Sequence, residues 1–322
     1  MLIVQKFGGS SLADIDRLRR AADICIDARQ GENDLVVVVS AMGDETDRLV
    51  DMAHMISPRP SPRELDALTT TGEQRSAALM AIMLESLGTK ACSLTGWQAG
   101  IMTDGESGQG DIRMIAPSRI LEALSQQRVA VVTGYQGFCA KGDITSLGRG
   151  GSDTTAVALA AALEADRCEI YTDVAGIYTA DPRLLGEARY LESIDFRDML
   201  ALSSAGSQVL HPRAVELAMA NDVELRLLSS FDKVPGSSVR FLKDSRRPPL
   251  AGVTRCEEKS TVSLAGREAD AAALSRMVLY LAEAGIPVAS GAIEQGCVSV
   301  TVEPDRLLKA LETVHRRMIL GK

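Results

Sequence analysis

Short apolar runs recur along most of the chain, each closed by a cluster of small or polar residues and followed by a stretch of helix formers. LIVQKF at 2–7, DLVVVV at 34–39, RVAVVT at 128–133, CEIYTDV at 168–174 and ELRLLSS at 224–230 have this form. Runs with little polar alternation are the pattern of strands covered on both faces, as in a parallel sheet. A shorter strand is expected at 90–94. Helices are expected over about 12–29, from 44 onward, from 69 to about 88, through the Ala/Leu run that ends at 163, and over 195–219. SPRPSPR at 57–63 reads as a Pro-rich connector and 139–145 as a turn. Strand, small-residue turn and helix in repetition predict an α/β fold. In such sheets ligands bind at the carboxyl ends of the strands, where these turns gather.

The pattern changes near residue 250. With 224–230 as the last strand of the first domain, Pro235-Gly236 and the Arg/Pro-rich stretch 245–249 mark a boundary. Beyond it, strands are expected at 252–255, 261–264, 287–293 and 297–302, with helices at 269–284 and 305–319. Four strands and two helices make a small α+β, ferredoxin-like sandwich with one sheet face covered. The expected domains are therefore 1–245 and 250–322. The second holds no polar cluster like those of the first, so association or regulation is its expected role.

Composition narrows the function classes. The 322 residues carry a net charge of -8, which disfavours an extended nucleic-acid face but not a small anion in a local pocket. Aromatic residues make up only 3%, so the core must be aliphatic. The six cysteines are widely spaced with no C-x-x-C pair, which reads as reduced, buried thiols and neither a zinc site nor a disulfide framework. No apolar run approaches membrane-span length and the first residues form a strand, so a cytoplasmic protein without membrane or nucleic-acid partners is expected.

Candidate chemistry gathers at the turns. Ser146 to Asp153 (SLGRGGSD) places Gly148, Gly150, Gly151, Arg149 and Asp153 directly before a helix. Ser152 or Asp153 is the expected N-cap, and the first-turn N–H groups suit anionic oxygens. Arg149 adds a fork matched to a carboxylate or phosphate. The same stretch is equally a glycine-rich turn between strand and helix. At the first turn, Lys6 stands beside Gly8, Gly9, Ser10 and Ser11, a phosphate cradle without the Walker spacing, or an ordinary exposed strand-end lysine. Glu73, at the start of its helix, serves the dipole or a ligand. Trp97 lines a pocket or covers the core, and His211, before Pro212, reads as a capping or packing residue.

KFGGSS at 6–11, SAMGDET at 40–46, TTGEQ at 70–74, LGRGGSDTTAVALAAAL at 147–163, YTDVAGIYTADPR at 171–183 and GSQVLHPRAVELA at 206–218 together closely resemble the aspartate kinases. The resemblance covers nearly all of the first domain. It implies a three-layer αβα amino-acid-kinase fold with a mainly parallel sheet, and ATP-dependent phosphorylation of L-aspartate to 4-phospho-L-aspartate, the first step toward lysine, threonine and methionine. Carried over by position, Lys6, Gly8, Gly9 and Ser10 would hold the transferring phosphates, with Ser40 nearby. Thr46, Glu73, Arg149 and Asp153 would surround the amino acid, Arg149 on a carboxylate and Glu73 facing the ammonium. Thr172, Asp173, Tyr178, Asp181 and Arg183 would form the pocket for ATP, whose Mg2+ arrives with the nucleotide; no separate protein metal site is implied.

Two departures qualify the resemblance. Phe231 stands where many members carry a lysine, with Lys233 two places on. The family usually ends in two ACT-type modules, and 250–322 suffices for one. That implies reduced feedback by lysine or threonine, with association as a homodimer or higher homo-oligomer through the remaining module. Other readings stay open: a kinase of the same fold acting on another carboxylate or on carbamate, and a non-catalytic nucleotide or amino-acid sensor. The chemistry fits a kinase, because an acceptor carboxylate is already ionised at neutral pH and needs no general base, only charge neutralisation and alignment.

Overall fold

The run Leu2–Phe7 forms a central strand, flanked by Asp34–Val39 on one side and Arg167–Thr172 on the other, both parallel to it. The computed structural model describes residues 1–294 and 296–322. These divide into two compact units, Met1–Ala175 with Val223–Pro235, and Gly176–Asp222 with Gly236–Lys322.

In the first unit the parallel strands run in the order Leu225–Ser229, Arg167–Thr172, Leu2–Phe7, Asp34–Val39, Val129–Thr133, Ala91–Leu94. The period of two then decides what each face does. Ile3 and Phe7, with Val37, Val39, Val129 and Val131, pack against helices Ile15–Ala28 and Thr71–Ser86 through Leu18, Cys25, Met80 and Leu84. Val4 and Lys6 take the opposite face, where helix Gly151–Ala162 lies against the central strand. This is the expected α/β sheet between helical layers. Fully burying one such aliphatic side chain contributes about 1.5–3 kcal/mol.

Several elements differ from the expected ones. The helix expected over 12–29 is a 3₁₀ turn, Gly9–Leu12, followed by Ile15–Ala28, because Asp14 accepts the Arg17 N–H (2.8 Å) and starts the α-helix afresh. Within the Pro-rich connector Pro62 opens a short helix, Pro62–Thr69, using the position where proline's missing N–H costs nothing. A second sheet of Ile112–Ile115, Ile101–Thr103, Gln136–Phe138 and Ile144–Ser146 is built from strands of three or four residues, too short to show a period, and the sequence pattern does not reveal the helix Ser118–Ser125 either. The turn expected at 139–145 is narrower, closed by Cys139 N–H to Asp143 carbonyl (3.0 Å). Trp97 is 41% exposed, on a turn.

In the second unit the region 195–219 is two helices, Phe196–Ser204 and Pro212–Ala220, broken at Gly206, whose φ is 114°. His211 occupies the N-cap position of the latter without a side-chain cap bond. A strand beyond the one expected to be last, Ser237–Arg240, pairs in parallel with Ser193–Asp195. The four-stranded antiparallel sheet Gly252–Cys256, Thr261–Ala265, Cys297–Thr301, Ser290–Glu294 packs Val262, Leu264, Val298 and Val300 against Met277, Leu281, Leu311 and Val314 of helices Ala271–Glu283 and Leu307–Val314.

Candidate active site

At the carboxyl ends of the parallel strands the first unit holds a cavity of about 310 Å³. Its wall includes Lys6, Gly8, Gly9, Ser40, Thr46, Glu73, Arg149 and Asp153, so eight of the candidates chosen from the sequence share one pocket. Backbone hydrogen bonds chain its turns together: Ser40 N–H to Phe7 carbonyl (3.1 Å), Gly43 N–H to Gly9 carbonyl (3.0 Å) and Gly134 N–H to Val39 carbonyl (2.9 Å). Gly9 is required by space, since an added Cβ would stand 2.8 Å from the Ala41 carbonyl oxygen and 3.0 Å from that of Gly43.

Lys6 and Asp153 form an ion pair at 2.6 Å, with side chains only 12% and 13% exposed. Strand alternation explains it, because residue 6 faces the layer that contains helix Gly151–Ala162. The same contact overturns the expected cap. The helix begins at Gly151 with Gly150 at the N-cap, in the left-handed region at φ 73°, and neither Ser152 nor Asp153 caps it. Asp153 is committed to Lys6, and Ser152 packs beneath Gly134, where a Cβ would lie 2.6 Å from the Ser152 Oγ.

Glu73 forms the pocket floor and is 3% exposed. Gly72 allows its helix to approach the 40–43 turn, since a Cβ there would stand 2.9 Å from the Ala41 Cβ. The Ala41 N–H then donates to Glu73 Oε1 at 3.0 Å, while Oε2 has no hydrogen-bond partner among the described residues. Burial pushes the carboxyl up to about 7, against the smaller lowering effect of the backbone N–H. Arg149, by contrast, is exposed and forms no ion pair among the described residues. A free guanidinium and a buried carboxyl with one unused oxygen thus share a glycine-lined cavity with a lysine held by an aspartate.

The other candidates lie elsewhere. Ser10 is exposed, its carbonyl accepting from Arg17 (2.7 Å), and does not line the cavity. Thr172 ends its strand and donates to the exposed Asp173 (3.1 Å). In the second unit Tyr178 stacks edge-on to Tyr190, and Asp181 is gripped by Arg183 through Nε (3.1 Å) and Nη2 (2.9 Å), a hydrogen-bonded pairing that holds its carboxyl below the ordinary value. Phe231 lies under the guanidinium groups of Arg17 and Arg20, 5.2 and 5.7 Å from the ring centre, and Lys233 is exposed. Residues not chosen from the sequence also line the cavity, among them Ala41, Gly43 and Tyr135. Tyr135 takes a left-handed φ of 69°, and its only sequence signal was its place in a turn after a buried strand.

The amino acid kinase family model matches residues 1–229. The chain belongs to the amino acid kinase family. This amino acid kinase is 50% identical over 240 residues to the aspartokinase of Mycolicibacterium smegmatis, covering 74% of this chain and 57% of that one. With the Geobacillus stearothermophilus aspartokinase it shares 46% over 288 residues, 89% of this chain and 71% of the relative. The Corynebacterium glutamicum aspartokinase is 40% identical over 331 residues, with coverages of 99% and 79%. The chain thus spans less than two thirds of some curated relatives, as of the first, and more of others. Among solved structures, the aspartate kinase from Synechocystis matches at a TM-score of 0.68 and 31% identity, covering 98% of this kinase and 69% of that chain. Escherichia coli aspartokinase III in complex with lysine and aspartate matches at 0.72 and 26%, covering 97% and 83%.

Proposed function

We propose that this amino acid kinase phosphorylates the side-chain carboxylate of L-aspartate from MgATP, giving 4-phospho-L-aspartate and ADP. The observation that carries the reading is the pairing of unsatisfied groups in one cavity: the free Arg149 guanidinium and the unused Glu73 Oε2, beside the Lys6–Asp153 pair. An amino acid offers a carboxylate to the first and an ammonium to the second. The relatives named aspartokinase, and the aspartate in the Escherichia coli aspartokinase III complex, support the choice of amino acid.

An oxygen of the acceptor carboxylate forms a bond to the γ-phosphorus as the bond to the bridging β-oxygen breaks, and ADP leaves with that electron pair. No proton is removed, because the acceptor is ionised at neutral pH. The work of the site is to bring an anion to a polyanion. Lys6, kept in place by Asp153, and the close-approach turn at Gly8 and Gly9 supply positive charge and N–H donors for the phosphates. Mg2+ carried by the nucleotide would neutralise further phosphate charge. Ser40 and Thr46 border the acceptor side, and Thr172 and Asp173 are assigned to the nucleotide side. Residues 250–322 are proposed as an ACT-type module through which copies associate, which light scattering of the purified chain tests.

Acyl phosphate trapped with hydroxylamine tests the reaction. The wild-type chain is expected to form aspartyl hydroxamate, and Lys6→Ala to lose about 10²-fold or more in kcat, the scale of removing one transition-state donor. A folded, ATP-binding chain that turns over glutamate or N-acetylglutamate in place of aspartate would move the reading to another acceptor.

A further inference from the structure

The helix Pro62–Thr69 carries a carboxylate, Asp66, that is 3% exposed and lies outside the cavity wall. It has no cationic partner among the described residues; three donors take that place. Its Oδ2 accepts the N–H groups of Gly108 (2.9 Å) and Ser146 (3.0 Å), and its Oδ1 accepts the Ser146 hydroxyl at 2.6 Å. Bonds of this charge-assisted kind are about twice as strong as neutral ones.

Ser146 ends a strand, and the glycine loop begins two residues later. The joint is tied on both sides: the Ser146 carbonyl accepts the Gly110 N–H (2.8 Å), and the Leu147 N–H donates to the Tyr135 carbonyl (2.8 Å). Gly148, at φ 72°, packs so close to the same 104–111 loop that a Cβ would stand 3.0 Å from the Gly108 oxygen. Asp66 therefore fastens this loop to the base of the segment that presents Arg149. Arg149 has no ion-pair partner among the described residues, so its backbone sets where the guanidinium can reach. In the other direction along the chain, the Asp66 carbonyl accepts the N–H (3.1 Å) and hydroxyl (2.8 Å) of Thr70, three residues before Glu73. One nearly continuous helical rod thus holds the Arg149 loop at one point and supplies Glu73 at another.

We propose that Asp66 is a positioning residue for the amino-acid acceptor, fixing the Arg149 loop in register with Glu73. The proposal rests on the aspartate kinase reading for the identity of the acceptor. It makes a selective prediction, because Asp66 bonds Gly108 and Ser146 and touches neither member of the Lys6–Asp153 pair. Loss of the clasp weakens acceptor capture more than nucleotide capture or the chemical step.

Asp66→Ala orphans three donors, the two of Ser146 buried and that of Gly108 partly so. Asp66→Asn preserves the geometry without the charge: its carbonyl oxygen can accept both N–H groups while its amide donates to the Ser146 hydroxyl oxygen. Steady-state kinetics and hydrogen-exchange mass spectrometry over residues 146–151 test the idea. Asp66→Ala is expected to raise the KM for aspartate about tenfold or more, with kcat and the KM for MgATP within about threefold, and Asp66→Asn to recover most of the loss. An unchanged aspartate KM in folded Asp66→Ala, an equal rise for both substrates, or an Asp66→Asn as impaired as the alanine variant would overturn the proposal. Should Asp66→Ala fail to fold, Ser146→Ala, which deletes one bond and leaves two, carries the test: a higher aspartate KM supports the clasp and a wild-type value overturns it. A wild-type chain inactive on aspartate refutes the acceptor assignment separately. Exchange then decides: faster uptake at 146–151 in Asp66→Ala or Ser146→Ala, with wild-type uptake in Asp66→Asn, supports the clasp, and identical uptake in all chains refutes it.

Discussion

Glu73 is the residue whose chemistry depends most on where the fold puts it. Unfolded, it titrates near 4.5; folded, burial lifts it to about 7. Between those values the folded chain binds the extra proton, so stability falls as pH rises across the window and the loss is complete above pH 7. The effect is on the order of 3 kcal/mol, since each pKa unit corresponds to about 1.4 kcal/mol. Urea denaturation of the ligand-free chain from pH 5 to 8 should show this slope, and Glu73→Gln should remove it while keeping the oxygen that accepts the Ala41 N–H. An ammonium group brought to Oε2 favours the ionised form, so the KM for aspartate should fall as pH rises from about 6 to 8 in the wild type but not in Glu73→Gln. From sequence, Glu73 at a helix start was as good a dipole partner as a ligand. The difference lies in the buried, unused oxygen, which only the approach of the 40–43 turn creates.

At the scale of elements, glycines decide how closely the turns of the cavity approach one another. Gly9→Ala places a methyl group 2.8 Å from the Ala41 carbonyl oxygen, backbone that must move for the methyl to fit. The displaced residue is the one that orients Glu73, so a destabilisation of about 1–3 kcal/mol should accompany loss of aspartate turnover; thermal melting and the hydroxamate assay read the two effects. The glycine loop itself was legible as a loop, but its cap was not. Ser152 and Asp153 are good capping residues in any local reading, yet Gly150 holds that position because Asp153 is drawn to Lys6 across the sheet face. Asp66 was invisible for the same reason: nothing near it in sequence shows that it meets Gly108 and Ser146, 42 and 80 residues away.

Across the whole molecule the two units bury separate aliphatic cores, and the cysteines follow that burial. All six are free; Cys25, Cys139, Cys168 and Cys297 are buried, and Cys92 and Cys256 are partly exposed. Burial pushes the Cys25 and Cys168 thiols far above their ordinary range, so native chain should react with dithionitrobenzoate at no more than the two partly exposed thiols, and at all six in denaturant. No helix among the described residues is long and apolar enough to cross a membrane. The sequence by itself determined the parallel strands of the first unit, within a residue or two, and the turns that bear Lys6, Glu73 and Arg149, because β-branched runs and glycine breaks act over a few neighbours. It also indicated the small four-stranded module, although the strand expected at 287–293 lies at Ser290–Glu294, where no alternation of buried and exposed positions marks it. The tertiary structure alone decided the Lys6–Asp153 pair, the orphaned oxygen of Glu73 and the Asp66 clasp. Each depends on the alignment of segments tens of residues apart, and ion pairs, desolvation and buried hydrogen bonds are properties of that alignment rather than of any one segment.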